Sequence, residues 1–410
     1  MSPPKTPPRP TRCIFCDTEL GPDTKPEHIL LNALGGRRTS RSLACDHHNG
    51  EFGSSIDKTL TDQVSIVRNM LQLESGSGKP PPMLRRVPAG QETFNVRQNA
   101  KFEQVAQPFA MTERADGETI LQVNARSPEH LAELAPHIAA KLNTTEEKVR
   151  ELLKTGQGTV VWKRPDPIRH DLLFGGPDAV RSMAKSWLEL WATVAGNEDV
   201  KSPSYAAARH FVLVGDDQFL HDRTSQDYRL VPGADEMAAR FGDFFNLIYV
   251  RSDAEGRVVA HFTLYNMMGW QIVLADRGGR PNLNTGLVSN PLKPREWSEA
   301  VAAGIEIDSS RLEAPEIDDE HARFQTRVVA MIERHQKQAT IESMEQIAST
   351  ELKRHGIADI FNEPDEAKRK AAIASISGRW AMHLVNVPHT YRLSPDEIDA
   401  MLDQAGSSKD

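Results

Sequence analysis

The spacing of apolar positions predicts a small unit of two strands and one helix near the N-terminus. From Phe52 to Leu71, apolar side chains recur every three or four residues, as on one face of an amphipathic helix. Upstream, KPEHILL ends in an apolar run that predicts a short strand, and ALGGRRTSRSLA predicts a Gly-Gly turn followed by a second strand. The helix positions predicted to face the core are Phe52, Ile56, Leu60, Val64, Val67 and Leu71.

The region 91–293 mixes both periodicities and is predicted to be an α+β domain. ETILQVNAR and GTVVWKR read as strands, whereas SPEHLAELAPHIAAKL, TTEEKVRELLKTG and PDAVRSMAKSWLELWATVAG read as helices. NLIYVRS, RVVAHFTLYN and WQIVLAD follow one another with short DAEG and MMG turns, which predicts an antiparallel meander. Trp187 and Trp191, four residues apart on one predicted helix, are expected in the core.

These patterns give a predicted domain organisation. Residues 1–11 are a Pro-rich lead-in expected to be disordered, 12–72 a small N-terminal domain, and 73–90 a linker rich in Gly, Ser and Pro. The α+β domain then spans 91–293. A mainly helical region covers 294–410, with a long helical stretch from Glu316 to His355.

Charge and hydropathy exclude several classes of protein. The chain has 49 basic and 57 acidic residues and a net charge of −8, so any contact with nucleic acid must come from a local patch. No apolar run reaches the roughly 18–20 residues of a membrane helix, and the N-terminus lacks the apolar core of a secretory signal. A cytoplasmic protein without membrane contact is therefore expected.

The three cysteines point to a metal site. Cys13, Cys16 and Cys45 all lie in the first eighth of the chain, and an odd number of thiols in a reducing compartment favours metal binding over disulfides. With His48 they form C-x2-C-x28-C-x2-H, a ligand set for structural Zn²⁺. His47 is the substitute for His48, and three unrelated buried thiols are the alternative to a metal site.

The motif around these residues resembles the HNH endonucleases, and is closest to the subgroup whose ββα-metal motif is stapled by zinc. C-x2-C, E-H-I, L-G-G and C-x2-H-N-G-x-F-G occur in order over residues 12–72. The resemblance implies phosphodiester hydrolysis with 5′-phosphate and 3′-hydroxyl ends. It implies that Glu27 and Asn49 bind a catalytic Mg²⁺ or Mn²⁺ and that His28 is the general base.

Some positions depart from the family pattern or extend it. Many relatives carry Asp where this chain has Glu27, and the Asn of the loop before the second knuckle is missing, so Ser42 or Asn32 is a candidate to fix that loop. Asp57 is a candidate further ligand or partner of the ion, although a solvated helix acid is the favoured interpretation. The arginines of the loop are predicted to bind phosphates, with an exposed polar turn as the alternative; they are Arg37, Arg38 and Arg41.

The sequence therefore predicts a metal-dependent HNH endonuclease acting on nucleic acid, with DNA as the expected substrate. A role in restriction or antiviral defence is an analogy only. The rival interpretation is a zinc-stapled nucleic-acid-binding module without cleavage activity, which would need the cysteines but not Glu27, His28 and Asn49. The region 91–410 is expected to select the substrate, to bind a regulatory ligand or to bind a protein partner. In a third interpretation, added to the first, such a ligand or partner controls the nuclease.

Overall fold

The computed structural model describes residues 11–98, 102–113, 119–125, 128–155, 159–162, 166, 174–299, 304, 318–385 and 389–392. Its strands are β1 Glu27–His28, β2 Thr39–Ser40, β3 Leu84–Ala89, β4 Glu92–Val96, β5 Phe102–Gln104, β6 Phe109–Glu113, β7 Thr119–Val123, β8 Thr159–Trp162, β9 Thr224–Asp227, β10 Asn246–Ser252, β11 Val258–Leu264, β12 Met268–Ala275, β13 Asn284–Ser289, β14 Trp297–Ser298 and β15 His389–Arg392. Its α-helices are α1 Asp46–Ser54, α2 Ile56–Gln63, α3 Ser65–Met70, α4 Pro128–Leu142, α5 Glu146–Thr155, α6 Pro177–Ala195, α7 Asn197–Val200, α8 Ala206–Val214, α9 Asp217–Arg223, α10 Ala234–Phe241, α11 Asp318–Arg354 and α12 Glu366–Leu384.

The chain divides into two compact units, each built from two separate segments. The first unit comprises Met1–Pro82 and Asp171–His335, and the second comprises Met83–His170 and Gln336–Asp410. This division differs from the predicted domains, because α6 packs against α2 and so places the 171–335 segment in one unit with the N-terminus. The predicted lead-in lies outside the described residues except for its last residue, Thr11.

The segment predicted as the start of a linker packs closely in the first unit. Leu73 is buried, and the backbone N–H of Gly76 donates to the carbonyl of Asn32 at 2.7 Å. A Cβ added to Gly76 would lie 1.8 Å from the carbonyl oxygen of Gly36, so only glycine permits this approach of the two backbones. The glycines that suggested flexibility are needed for packing.

The N-terminal segment has the predicted order of two strands followed by helical structure. β1 and β2 pair antiparallel, with Glu27 opposite Ser40 and His28 opposite Thr39. The predicted single helix is broken into α1, α2 and α3, and the first break is at Ser55, whose φ and ψ are −119° and −95°. The hydroxyl of Ser55 donates to the carbonyl of Glu51 at 2.6 Å, a bond that competes with helix continuation.

A six-stranded antiparallel sheet forms the main layer of the first unit. Its strand order is β14-β13-β10-β11-β12-β9, and it contains the predicted meander as β10, β11 and β12. The α6 helix packs against this sheet and against α2, so it is buried over most of its length. Trp187 and Trp191 are fully buried there, as predicted, and the Trp187 ring meets Phe262 edge-on at 6.2 Å.

The second unit contains three small sheets and four helices among its described residues. Its sheets are β3-β4-β5, β6-β7 and β15-β8. Helices α4 and α5 form a local core with Ile138 and Val149, against which Phe109 and Leu121 of β6 and β7 pack. Glu351 of α11 accepts hydrogen bonds from Ser375 and Arg379 of α12, at 2.5 and 2.7 Å. The predicted α+β class, with its helical C-terminal region, is confirmed. Among the described residues, no helix is both long and apolar enough to cross a membrane.

Candidate active site and metal centre

The two predicted knuckles meet in the structure. The ligand atoms of Cys13, Cys16, Cys45 and His48 all lie within 4.8 Å of one another. The Nδ1 atom of His48 lies 3.3 Å from Sγ of Cys45 and 3.7 Å from Sγ of Cys13. The predicted substitute, His47, faces solvent beside Glu51, with 78% of its side chain exposed. The Cys3His set is the one that the structure assembles, and its geometry is consistent with structural zinc.

The chemistry of this set fits a soft divalent cation. Burial raises the pKa of the Cys13 thiol to about 12 and lowers the pKa of His48, so burial favours the neutral form of both groups. Zinc binds thiolate and neutral imidazole, and its positive charge offsets the negative charge of the buried thiolates. Phe15 and Phe52 enclose the cluster, with the His48 ring stacked on Phe52 at 5.6 Å.

Helix α1 is tied to the residues that precede β1. The carboxylate of Asp46 accepts the backbone N–H of Lys25 at 2.8 Å, and the Asn49 amide donates to the carbonyl of Pro26 at 3.4 Å. Asn49 therefore lies beside the residue before Glu27. Because Cys45 is the N-cap of α1, the knuckle fixes where this helix starts.

The loop without the family's Asn is held by a residue distant in sequence. The Asn197 amide of α7 donates to the carbonyls of Arg12 and Ser42, both at 2.6 Å, and so joins the first knuckle to the loop after β2. Of the two candidates from the sequence, the hydroxyl of Ser42 contacts that of Ser40 at 2.9 Å, whereas Asn32 accepts the backbone N–H of Ser77 at 3.0 Å.

Glu27 belongs to a buried charged cluster centred on Lys185 of α6. The Lys185 ammonium donates to Oε1 of Glu27 at 2.8 Å and to Oδ2 of Asp57 at 2.6 Å, and the Ser182 hydroxyl donates to Oδ1 of Asp57 at 2.6 Å. The favoured interpretation of Asp57 as a solvated helix acid is therefore wrong, because this side chain is buried and hydrogen bonded. A fourth member, Glu189, is fully buried, and neither of its carboxylate oxygens has a hydrogen-bond partner in the described structure.

The cluster contains three acids and one base, and burial sets their protonation. Burial raises the pKa of Glu189 well above its usual value, with the Lys185 charge opposing this shift, so burial favours the neutral form of Glu189. Burial also raises the pKa of Glu27, an effect that Lys185 offsets. Burial alone would lower the pKa of Lys185, but the carboxyl groups of Glu189, Asp57 and Glu27 raise it above its usual value. The positive charge of Lys185 stabilises the buried carboxylates that it contacts.

His28 differs from its neighbour Glu27 in exposure. Successive side chains of a strand point to opposite faces, and Glu27 is buried whereas His28 is half-buried. The His28 ring makes no hydrogen bond to any other described residue. Burial, and then the nearby Lys185 charge, lower the pKa of His28 below its usual value, so its imidazole is neutral at pH 7 and can accept a proton.

The arginines of the predicted phosphate cluster contact protein acceptors. Arg37 donates to the carbonyl of Gly76 at 2.5 Å, and Arg38 pairs with Glu299 at 2.7 Å. Arg41 donates to the carbonyl of Thr24. Arg37 and Arg41 are nonetheless exposed, and phosphate contact by these arginines stays a prediction.

Glu27 and Asn49, the residues expected to hold the catalytic ion, each have one oxygen atom that could bind it. Oε2 of Glu27 and Oδ1 of Asn49 make no side-chain hydrogen bond among the described residues, and both are the hard donors that Mg²⁺ and Mn²⁺ prefer. Glu27 is only 4% exposed, so an ion held there would lie at the edge of the buried cluster. The donor set fits a hard divalent cation.

Sequence reasoning missed Lys185, Ser182 and Asn197. Each lies more than 120 positions from its partner along the chain, with 125 for Ser182 and Asp57 and 158 for Lys185 and Glu27. One available signal was the pair Lys185 and Glu189, two charged residues one turn apart on a predicted helix rich in apolar residues, which marks buried charges with partners elsewhere.

Comparison with known proteins gives one match. A family model described as HNH endonuclease matches residues 13–65, the segment that contains both knuckles, β1, β2, α1 and α2. No curated protein and no solved structure matches the chain.

Proposed function

We propose, on the premise that residues 13–65 form an HNH endonuclease domain, that the protein is a metal-dependent endonuclease that hydrolyses phosphodiester bonds of DNA. The observation that carries this proposal is the Cys3His cluster, which joins the first knuckle to the start of α1, the helix whose Asn49 contacts the carbonyl of Pro26 just before Glu27 and His28. The family match supports nuclease chemistry in general. The choice of DNA as the substrate goes beyond that match and is part of our proposal.

His28 is the proposed general base. Its imidazole is neutral at neutral pH, half-buried, and without a hydrogen bond to another described side chain, so it can take a proton from an attacking water. Glu27 and Asn49 would hold the divalent ion through carboxylate and amide oxygens. When bound, such an ion supplies positive charge that stabilises the phosphate and the leaving 3′ oxygen, which gives 5′-phosphate and 3′-hydroxyl ends.

The zinc residues have a structural role in this proposal. Cys13, Cys16, Cys45 and His48 supply the four ligands of a closed, tetrahedral structural zinc site, and the His48 ring contacts Phe15 and Phe52. Zinc would fix the hairpin relative to α1 and so set the distance between His28 and Asn49.

The biological role belongs to the same proposal. A nuclease in restriction or antiviral defence needs control, and residues outside 13–65 make up most of the chain. We propose that the C-terminal region provides this control by binding a regulatory ligand or a protein partner. The rival function, a zinc-stapled binding module without cleavage, predicts nucleic-acid affinity that does not depend on His28.

Cleavage of supercoiled plasmid DNA in the presence of Mg²⁺ or Mn²⁺ tests the proposal. We expect the wild-type protein to cut and His28→Ala to lose roughly 10²–10⁴-fold in rate, while both proteins retain the same zinc content and unfolding curve. His47→Ala is the matched control, since His47 is an exposed imidazole outside the metal cluster. Equal cleavage by wild type and His28→Ala would contradict the general-base role, and binding without any cleavage would favour the rival.

A further inference from the structure

A fully buried ammonium group contacts the proposed ion ligand. Lys185 is 0% exposed at the middle of α6, and its Nζ contacts one oxygen of Glu27 and one of Asp57. Burying an ammonium ion costs several kcal/mol unless it is paired with good geometry. Its two short hydrogen bonds to carboxylates meet that condition.

The two oxygens of the Glu27 carboxylate are not equivalent. Oε1 accepts the Lys185 ammonium at 2.8 Å, whereas Oε2 accepts no hydrogen bond from a described side chain. A carboxylate held by one oxygen has lost most of its rotational freedom about the last side-chain bond. Carboxylates that bind metals are oriented in this way by hydrogen bonds from outside the ligand set.

We propose that Lys185 is a positioning residue of the nuclease site: by holding Oε1 of Glu27, it fixes the carboxylate so that Oε2 is left for the divalent ion. This inference rests on the proposed function. It assigns a catalytic support role to a residue outside 13–65, the segment that matches the nuclease family.

The surroundings of Lys185 make it a rigid support. It lies on a 19-residue helix packed between α2 and the six-stranded sheet, with Trp187 and Leu188 fully buried beside it. Asp57 and Ser182 complete a hydrogen-bonded chain from α6 through Asp57 to the Lys185 ammonium, and so fix the ammonium itself. Sites held by regular elements and a packed support are more precise than sites held by loops.

A charge-matched double variant isolates positioning from charge. Replacing Lys185 alone would leave two carboxylates without a cation, so Lys185→Met is combined with Asp57→Asn. The wild-type set of Lys185, Glu27 and Asp57 has a formal charge of −1, and the double variant keeps that charge on Glu27. The amide oxygen introduced by Asp57→Asn can still accept the Ser182 hydroxyl. Any change in ion affinity then reports the orientation of Glu27.

The measurement is Mn²⁺ affinity of the full-length, zinc-loaded protein, from the electron paramagnetic resonance signal of free Mn²⁺. We expect the Kd for Mn²⁺ to rise about 10–100-fold in Lys185→Met/Asp57→Asn, with zinc content and the fraction of folded protein unchanged. Lys185→Gln/Asp57→Asn retains an N–H donor at the same position, so its Kd should rise less. Ser186→Ala is the control, because Ser186 is a buried, uncharged residue of α6 whose hydroxyl has no hydrogen-bond partner among the described residues.

The outcomes separate the two proposals. A wild-type Kd in folded Lys185→Met/Asp57→Asn would overturn the positioning role of Lys185. If that pair does not fold, Lys185→Leu/Asp57→Asn, which also lacks a donor, decides in its place. A Kd that rises equally in Ser186→Ala would also overturn it, since any disturbance of α6 would then suffice. If the wild-type protein bound no Mn²⁺ and cut no DNA, the proposed nuclease function itself would fail.

Discussion

Glu189→Gln should make the protein more stable, and increasingly so as the pH rises. Glu189 is 0% exposed, its carboxylate oxygens have no hydrogen-bond partner among the described residues, and burial raises its pKa well above the usual value. The titratable groups that act on it are Lys185, Glu27 and Asp57. The folded protein therefore holds Glu189 protonated at a pH where the unfolded chain, with a glutamate pKa of ~4.3, has released that proton.

The sign and size of the effect follow from the difference in bound protons. Between the pKa of Glu189 in the unfolded chain and its raised pKa in the folded protein, the folded state binds one more proton. The free energy of unfolding then falls by about 1.4 kcal/mol for each pH unit of increase. The loss accumulates up to the raised pKa of Glu189 in the folded protein. Glutamine has no proton to release, so the variant lacks this loss.

Urea denaturation of both proteins between about pH 6 and pH 8, followed by tryptophan fluorescence, measures the effect. Titrations of all other groups are common to both proteins and cancel in the difference. We expect the difference in unfolding free energy to grow with pH at about 1.4 kcal/mol per unit. Parallel curves would refute the reasoning, because they would mean that Glu189 is ionised in the folded protein.

Three further predictions concern the metal centre, the base and the arginines. Cys13→Ser should lower the zinc content and destabilise the first unit, because zinc binding there is coupled to folding, whereas His47→Ala should keep full zinc in a colorimetric assay. Since the pKa of His28 is lowered, the acid-side midpoint of the cleavage rate should lie below the usual histidine pKa of about 6.5; a midpoint above that value would contradict the assignment. Arg41→Ala should weaken DNA binding and reduce the slope of log affinity against log salt by about 1, and an unchanged slope would remove Arg41 from the phosphate contacts.

The sequence predicted the parts of this protein that depend on short spacing. The positions of Cys13, Cys16, Cys45 and His48 follow from the reach of ligands to one ion, and the meander follows from alternation and tight turns, so both are visible locally. The break at Ser55 was missed because the apolar spacing continues through it, while its cause is a hydroxyl bonding back to the preceding turn.

The sequence did not predict the contacts between distant segments. Asp57 looked like a surface acid because its partner Lys185 comes 128 residues later, on a helix whose apolar spacing gives no hint of which acid it meets. The division of each unit between two separate segments of the chain was missed for the same reason. Periodicity describes how each segment buries one face, but not which other segment covers that face.

The separation of Glu27 from Lys185 also sets the order in which this cluster can form during synthesis. Extending the chain from one residue to the other takes roughly 8–30 s at about 5–20 residues per second. Until α6 leaves the ribosome, Glu27 lacks the ammonium group that it contacts in the folded protein, although both zinc knuckles have already been translated. Under the proposed function, the site would stay incomplete until well after the catalytic motif has been made.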